Sequence, residues 1–299
     1  MTTAQHPLDG KLRIVLLASD GSSAMESTIT VARQLAARDA AKVRVVTAVE
    51  ALPAVTPEGN LPLTPEIEQA RHRQFEQRVR DQLSRLVPES SAWTVEQIDG
   101  PPDATIARVA HDCHADLIVL GLGEHRMVDR WFGGETALRV LRLADVPVLA
   151  VGPKATALPT RLVAAMDFSE TSERALLAAL PLLGDGAKIT MAHVVPRDIS
   201  MGVWPAWDDA YENAVKTSFI ETRKRLAIPG HIAVDEVVLY GDPARELLGY
   251  AERTQADLIV TGTHGHNIIV RTLLGRTSTK LIRGARCSVF AISPERRAH

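Results

Sequence analysis

The chain has 299 residues, 45% hydrophobic and 23% charged, which excludes a disordered polymer and gives room for two domains of about 150 residues each. Lys+Arg 34 against Asp+Glu 36 leaves a net charge of −2, so no global field recruits nucleic acid or anionic membrane, and any anion site has to be built locally. Runs such as Leu117 to Gly123 are far short of the roughly 20 apolar residues that span a bilayer. Met1 to Lys11 lacks an apolar signal core, and Cys113 and Cys287 make no disulfide framework. The expectation is a soluble cytoplasmic protein with neither nucleic-acid nor membrane partners.

Taken in order, the chain repeats itself. Leu12 to Ser22 reads as a buried strand ending at Asp20, followed by Ser22 as a helix cap, and Leu162 to Ser169 repeats this with Asp167 and Ser169. Second strands follow at Ala41 to Val49 and Ala187 to Val195, and third strands at Trp93 to Ile98 and Val234 to Tyr240. Pro-rich excursions, Ala51 to Pro65 and Pro196 to Trp207, precede the next helices; Trp204 in the second is read as packing within its own loop. Gly100-Pro101-Pro102-Asp103 parallels Gly241-Asp242-Pro243-Ala244, each placing Pro in the first turn of a helix. Those helices lead into the apolar runs Ala115 to Val119 and Ala256 to Val260, and the last strands are Val146 to Val151 and Cys287 to Ile292.

The alternation of strand and helix predicts an α/β fold of parallel βαβ units in two tandem domains, residues 1–153 and 160–299, with a linker from Gly152 to Thr160. Near-continuous apolar strands are expected to have helices covering both faces of the sheet. Gly262-Thr263-His264-Gly265, followed nine residues later by Gly275-Arg276-Thr277-Ser278, sits after an apolar strand and before a helix. Unpaired backbone N–H groups there favour an anion, and the glycines admit a close approach or a positive φ.

With Gly262, Gly265 and Gly275 at the spacing Gly-x2-Gly-x9-Gly and Asp167 ending the first strand of its half, the chain resembles a tandem universal stress protein along nearly its whole length. The resemblance implies two doubly wound, Rossmann-like domains, each with a five-stranded parallel sheet in the order 3-2-1-4-5, and a stress-response protein that binds ATP, or ADP or AMP, between strands one and four without fast turnover. It implies that Asp167 lies near the adenosine, Val194 beside the base, and Gly262, Gly265, Gly275, Arg276, Thr277 and Ser278 around the phosphates. Whether Mg²⁺ accompanies the phosphates is left open. It also implies pairing through the last strands into an intramolecular pseudo-dimer, and two such chains are candidates to form a homodimer.

The halves are unequal. Asp20, Gly121, Gly134 and Thr136 keep parts of the motif, whereas Glu124 stands at the second glycine and Glu135 follows the third. Carboxylates there repel phosphates, so the first half is expected to bind nucleotide weakly or not at all. Arg276 stands where the family has Ser or Thr, and Arg271 and Lys280 add local positive charge. The alternatives are a nucleotide-independent interaction module, a slow ATPase, and a zinc protein using at most two of His111, Cys113 and His114, which are read as lying on one helix where i and i+3 share a face and i+2 does not. His125 and His264 occupy related loop positions.

Overall fold

The computed structural model describes residues 11–50, 65–88, 92–122, 134–196, 205–263 and 275–293. The first half runs β1 Ile14–Ala18, α1 Glu26–Asp39, β2 Lys42–Val49, α2 Pro65–Leu86, β3 Thr94–Asp99, α3 Pro102–Asp112, β4 Leu117–Gly121, α4 Gly134–Leu143 and β5 Val148–Val151. The second half repeats it as β6 Arg161–Ala165, α5 Glu170–Ala179, β7 Lys188–Val195, α6 Pro205–Leu226, β8 Ala233–Tyr240, α7 Pro243–Arg253, β9 Leu258–Gly262, α8 Arg276–Gly284 and β10 Ser288–Ile292.

Continuous apolar strands need cover on both faces, and they have it. Val15 and Leu17 point into a core shared with α1 and α2, while Leu16 and Ala18 point into the opposite core with α3 and α4. Burial of each such Val or Leu contributes about 1.5–3 kcal/mol. Within each half the order is 3-2-1-4-5 and all pairing is parallel. The halves join into one ten-stranded sheet because β5 and β10 pair antiparallel, Leu149 opposite Phe290. Neither edge is left bare at that junction, which removes two templates for aggregation.

The register fixes which residues are equivalent. Val15 lies beside Leu117 as Leu162 lies beside Leu258, so Asp20 and Asp167, Thr47 and His193, and Gly121 and Gly262 occupy the same places in their halves. The linker is stitched to α1. Gln34 donates to Thr156 O at 3.0 Å and accepts from Leu158 N at 3.0 Å, and Ser27 donates to Pro153 O at 2.8 Å.

Three expectations need correction. Ser169 caps α5, its hydroxyl oxygen accepting from Ser172 N at 3.2 Å, but Ser22 makes no side-chain cap and the chain enters α1 through a 3-10 turn over Ser23–Met25. The trio His111, Cys113 and His114 does not share a helix. α3 ends at Asp112, Cys113 is buried at its C-cap, and His114 turns away with φ 51°, in the left-handed region. Among the described residues no group of three His, Cys, Asp or Glu side chains is placed to hold a metal ion.

The third correction concerns Glu135. Its carboxylate accepts from Arg283 Nε at 2.6 Å, across the pseudo-dyad, and Arg283 holds it below the usual carboxylate range. Both partners are about half exposed, so the pair adds at most about 1 kcal/mol. Its consequence is positional: the carboxylate read as facing a phosphate is engaged by the other half.

Candidate functional site

In a doubly wound sheet the crevice opens beyond the carboxyl ends of the strands where the strand order reverses. In the second half that point lies between β6 and β9, and a cavity of about 490 Å³ occupies it, within the range that holds small organic ligands. Its walls come from the ends of β6, β7 and β9 and from the first turns of α7 and α8. One wall is apolar, with Met166, Ala192, Val194 and Leu247; the other end is polar, with Thr261, Thr263, Thr277 and Ser278. Asp167 and Arg276 line it as well.

The polar end is shaped by tight backbone packing. A Cβ on Gly262 would lie 2.8 Å from Thr171 Cγ2 and 3.2 Å from Thr171 backbone carbon, so this glycine lets β9 run directly beneath the start of α5. Neither Gly262 nor Gly275 has a positive φ; space, and not left-handed backbone, is what these two positions require. Gly275 N–H donates to Thr263 O at 2.7 Å, and a Cβ there would lie 2.6 Å from that same oxygen. The loop flanks are thereby pinned together at the mouth of the cleft. Gly265, His264, Arg271, Glu124, His125 and Trp204 lie outside the described residues.

Gly275 is the N-cap of α8, so the amides of Arg276, Thr277 and Ser278 are the first-turn N–H groups that a helix leaves without intrahelical partners. Their dipole favours negative charge by about 0.3–1 kcal/mol for each favourable contact. Ser278 is buried and its hydroxyl donates to Gly275 O at 3.0 Å, locking the turn from inside. That hydroxyl is therefore engaged, whereas Thr277 is only partly covered.

At the other end, Asp167 Oδ1 accepts from Ser169 N at 3.0 Å and from its hydroxyl at 2.6 Å, fixing an exposed carboxylate at the cleft. Phe168, between them, has φ 61°, a left-handed conformation that costs a bulky residue about 1–2 kcal/mol. Its first-half equivalent is Gly21, with φ 70°, where the same turn is unstrained. The Phe168 ring is held 4.8 Å from His193 and edge-on to Phe219 at 5.0 Å.

His193 lines the cavity and was not singled out by sequence reasoning; the signal was its place in β7, where the first half has Thr47. Met166 O accepts from His193 Nδ1–H at 2.8 Å, which leaves Nε2 to accept from Tyr211 O–H at 3.1 Å. Both bonds suit the neutral ring. Burial lowers its pKa, against the opposing effects of the Met166 bond and the Asp167 charge.

The unfolded ring takes up a proton below about pH 6.5, while the folded ring resists it. The stabilisation is thus fully present above that pH and is lost as pH falls toward the depressed folded value. Thermal unfolding between pH 7.5 and 5.5 is expected to show a steeper loss for wild type than for His193→Gln. Parallel slopes would show that His193 does not titrate in this way.

In the first half the equivalent positions have changed character. Leu122 stands for Thr263, Glu135 for Arg276 and Ala137 for Ser278, while Gly121, Gly134 and Thr136 are kept. Gly121 packs closely beneath α1, a Cβ there lying 3.0 Å from Thr28 Oγ1. Asp20 Oδ1 accepts from Ser22 N at 2.9 Å, the same turn as at Asp167.

This fold defines a tandem α/β protein with a cleft at the switch point of its parallel sheet. The model of the universal stress protein family matches residues 11–152 and again 159–293, and the chain belongs to that family. A universal stress protein of Methanocaldococcus jannaschii is 36% identical over 69 residues, covering 23% of this chain and 41% of that protein. The stress response protein NhaX of Bacillus subtilis is 29% identical over 150 residues, covering 40% of this chain and 90% of its own length. A solved universal stress protein from Archaeoglobus fulgidus matches 97% of this chain and 99% of its own with a TM-score of 0.63 at 18% identity, which shows the shared fold.

Proposed function

We propose that this protein is a stress-response binder of an adenine nucleotide, ATP foremost, with the site in its second half and no fast turnover. The observation that carries this reading is the cavity of about 490 Å³ that unites Val194, Asp167, Gly262, Gly275 and the first turn of α8. Its apolar wall suits a base, Asp167 is a hydrogen-bond acceptor for a ribose, and the α8 amides with Thr277 and Arg276 suit phosphates. Gly265 belongs to the same proposed set by its spacing. Mg²⁺, where present, is left to the phosphates.

In the first half, Leu122 in place of Thr263 removes a polar lining group and Glu135 in place of Arg276 removes a guanidinium, which argues for a partner in folding that binds nucleotide weakly or not at all; Asp20, Gly121, Gly134 and Thr136 are its remaining motif positions. The convergence of Asp167, Thr277, Arg276 and the first turn of α8 on one cavity favours a small ligand with polar groups over a nucleotide-independent protein contact. To test this, the protein is purified without added nucleotide, denatured, and its supernatant chromatographed. Co-released ATP, ADP or AMP is expected; an empty supernatant together with no heat or thermal shift at millimolar ATP would overturn the reading. A slow ATPase would release ADP in proportion to protein, and less in Gly275→Val.

A further inference from the structure

Beside the nucleotide cleft lies a second cavity of about 240 Å³, lined by Asp242, Pro243, Ala244, Arg276, Thr277 and Lys280. Pro243, Arg276 and Thr277 line both cavities, so Arg276 stands on the shared border. We propose that Arg276 makes this site selective for nucleotides with two or more phosphates, the distal ones lying against its guanidinium at the mouth of the outer cavity. The inference rests on the nucleotide reading above.

The surrounding charges decide it. Lys280 Nζ donates to Asp242 Oδ2 at 2.8 Å, and Asp242 also accepts from Arg245 N at 3.0 Å; Lys280 holds that carboxyl below its usual range. The carboxylate that lines the outer cavity is thus neutralised by the lysine beside it. Arg276 is exposed and has no ion pair among the described residues. Pseudo-symmetry explains why.

In the first half the equivalent residue, Glu135, pairs with Arg283 across the junction. The mate of that contact would set Arg276 against Arg142, the equivalent of Arg283, and two guanidiniums repel. Arg276 is accordingly left to the cleft, where it carries the first amide of α8 and its side chain is longer than the Ser or Thr the family motif has there. A planar guanidinium with paired donors suits a terminal phosphate better than a hydroxyl does. A monophosphate or a cyclic monophosphate, its one phosphorus seated on the α8 amides, has no group to offer it.

Isothermal titration with ATP, ADP, AMP and cyclic AMP, into wild type, Arg276→Gln and Arg276→Glu, tests this. Wild type is expected to bind ATP and ADP at least about tenfold more tightly than AMP or cyclic AMP. Arg276→Gln is expected to lose about tenfold for ATP and ADP while AMP stays within about twofold. Arg276→Glu is expected to lose more for ATP. Because Arg276 is exposed, each variant should melt like wild type. Equal affinities for ATP and AMP in wild type, or equal losses for both in Arg276→Gln, would overturn the selectivity and leave nucleotide binding standing; no binding of any of the four to wild type would overturn both.

Discussion

Gly152→Val is expected to lower the stability of the whole chain by about 2–3 kcal/mol, read as a lower denaturant midpoint at unchanged slope. Gly152 follows β5 where it crosses the last strand of the other half. A Cβ there would lie 2.8 Å from Cys287 C and 3.0 Å from Ser288 N. Both are backbone atoms at the start of a paired strand, so neither can swing aside as a flexible side chain would. Relief requires β5 and β10 to part, which strips the antiparallel pairs Leu149 with Phe290 and Val148 with Ala291 and weakens the Gly152 N to Ser288 Oγ bond of 3.2 Å. Gly230→Ala is the control, since nothing lies within 4 Å of the added carbon, and it should stay within about 0.5 kcal/mol of wild type. If Gly152→Val unfolds with wild type, the junction is not packed as described.

The second large effect is on binding. Gly275→Val is expected to weaken ATP binding by 100-fold or more, a loss of about 2.7 kcal/mol, while the fold survives. The added Cβ would sit 2.6 Å from Thr263 O, so the Gly275 N–H to Thr263 O bond must break and the α8 amides move away from the cleft. Position matters here because a shift of about 1 Å in groups that converge on a phosphate removes several hydrogen bonds together. The equivalent Gly134→Val meets Ile282 O at 3.3 Å, a looser contact outside the second cleft, and should leave ATP affinity within about twofold. Equal losses in the two variants would contradict the placement of the site.

Much of this was legible in the sequence because local periodicity and a repeat carry it. The apolar runs announce buried parallel strands, and laying Leu12 to Ser22 on Leu162 to Ser169 aligns the two halves through the same register that the sheet adopts. The glycines at Gly262 and Gly275 were also readable, although as freedom of φ where the fold uses them for space against Thr171 and Thr263. What stayed hidden depends on contacts between distant segments. Glu135 looked like a carboxylate aimed at phosphate until Arg283, 148 residues away, came beside it. His193 read as one more strand residue, since nothing local says that Met166, Phe168 and Tyr211 close around it. The end of α3 at Asp112, which separates His111 from Cys113 and His114, is set by a C-cap that helix-forming neighbours do not reveal.

The direct measurement is the stoichiometry of ATP binding by calorimetric titration of the nucleotide-free protein, repeated with Gly262→Glu and Gly121→Glu. One ATP per chain is predicted for wild type, none for Gly262→Glu, and one for Gly121→Glu if that chain retains its fold by circular dichroism. Two equivalents per chain, or binding that survives Gly262→Glu and disappears with Gly121→Glu, would contradict a single nucleotide site in the second half.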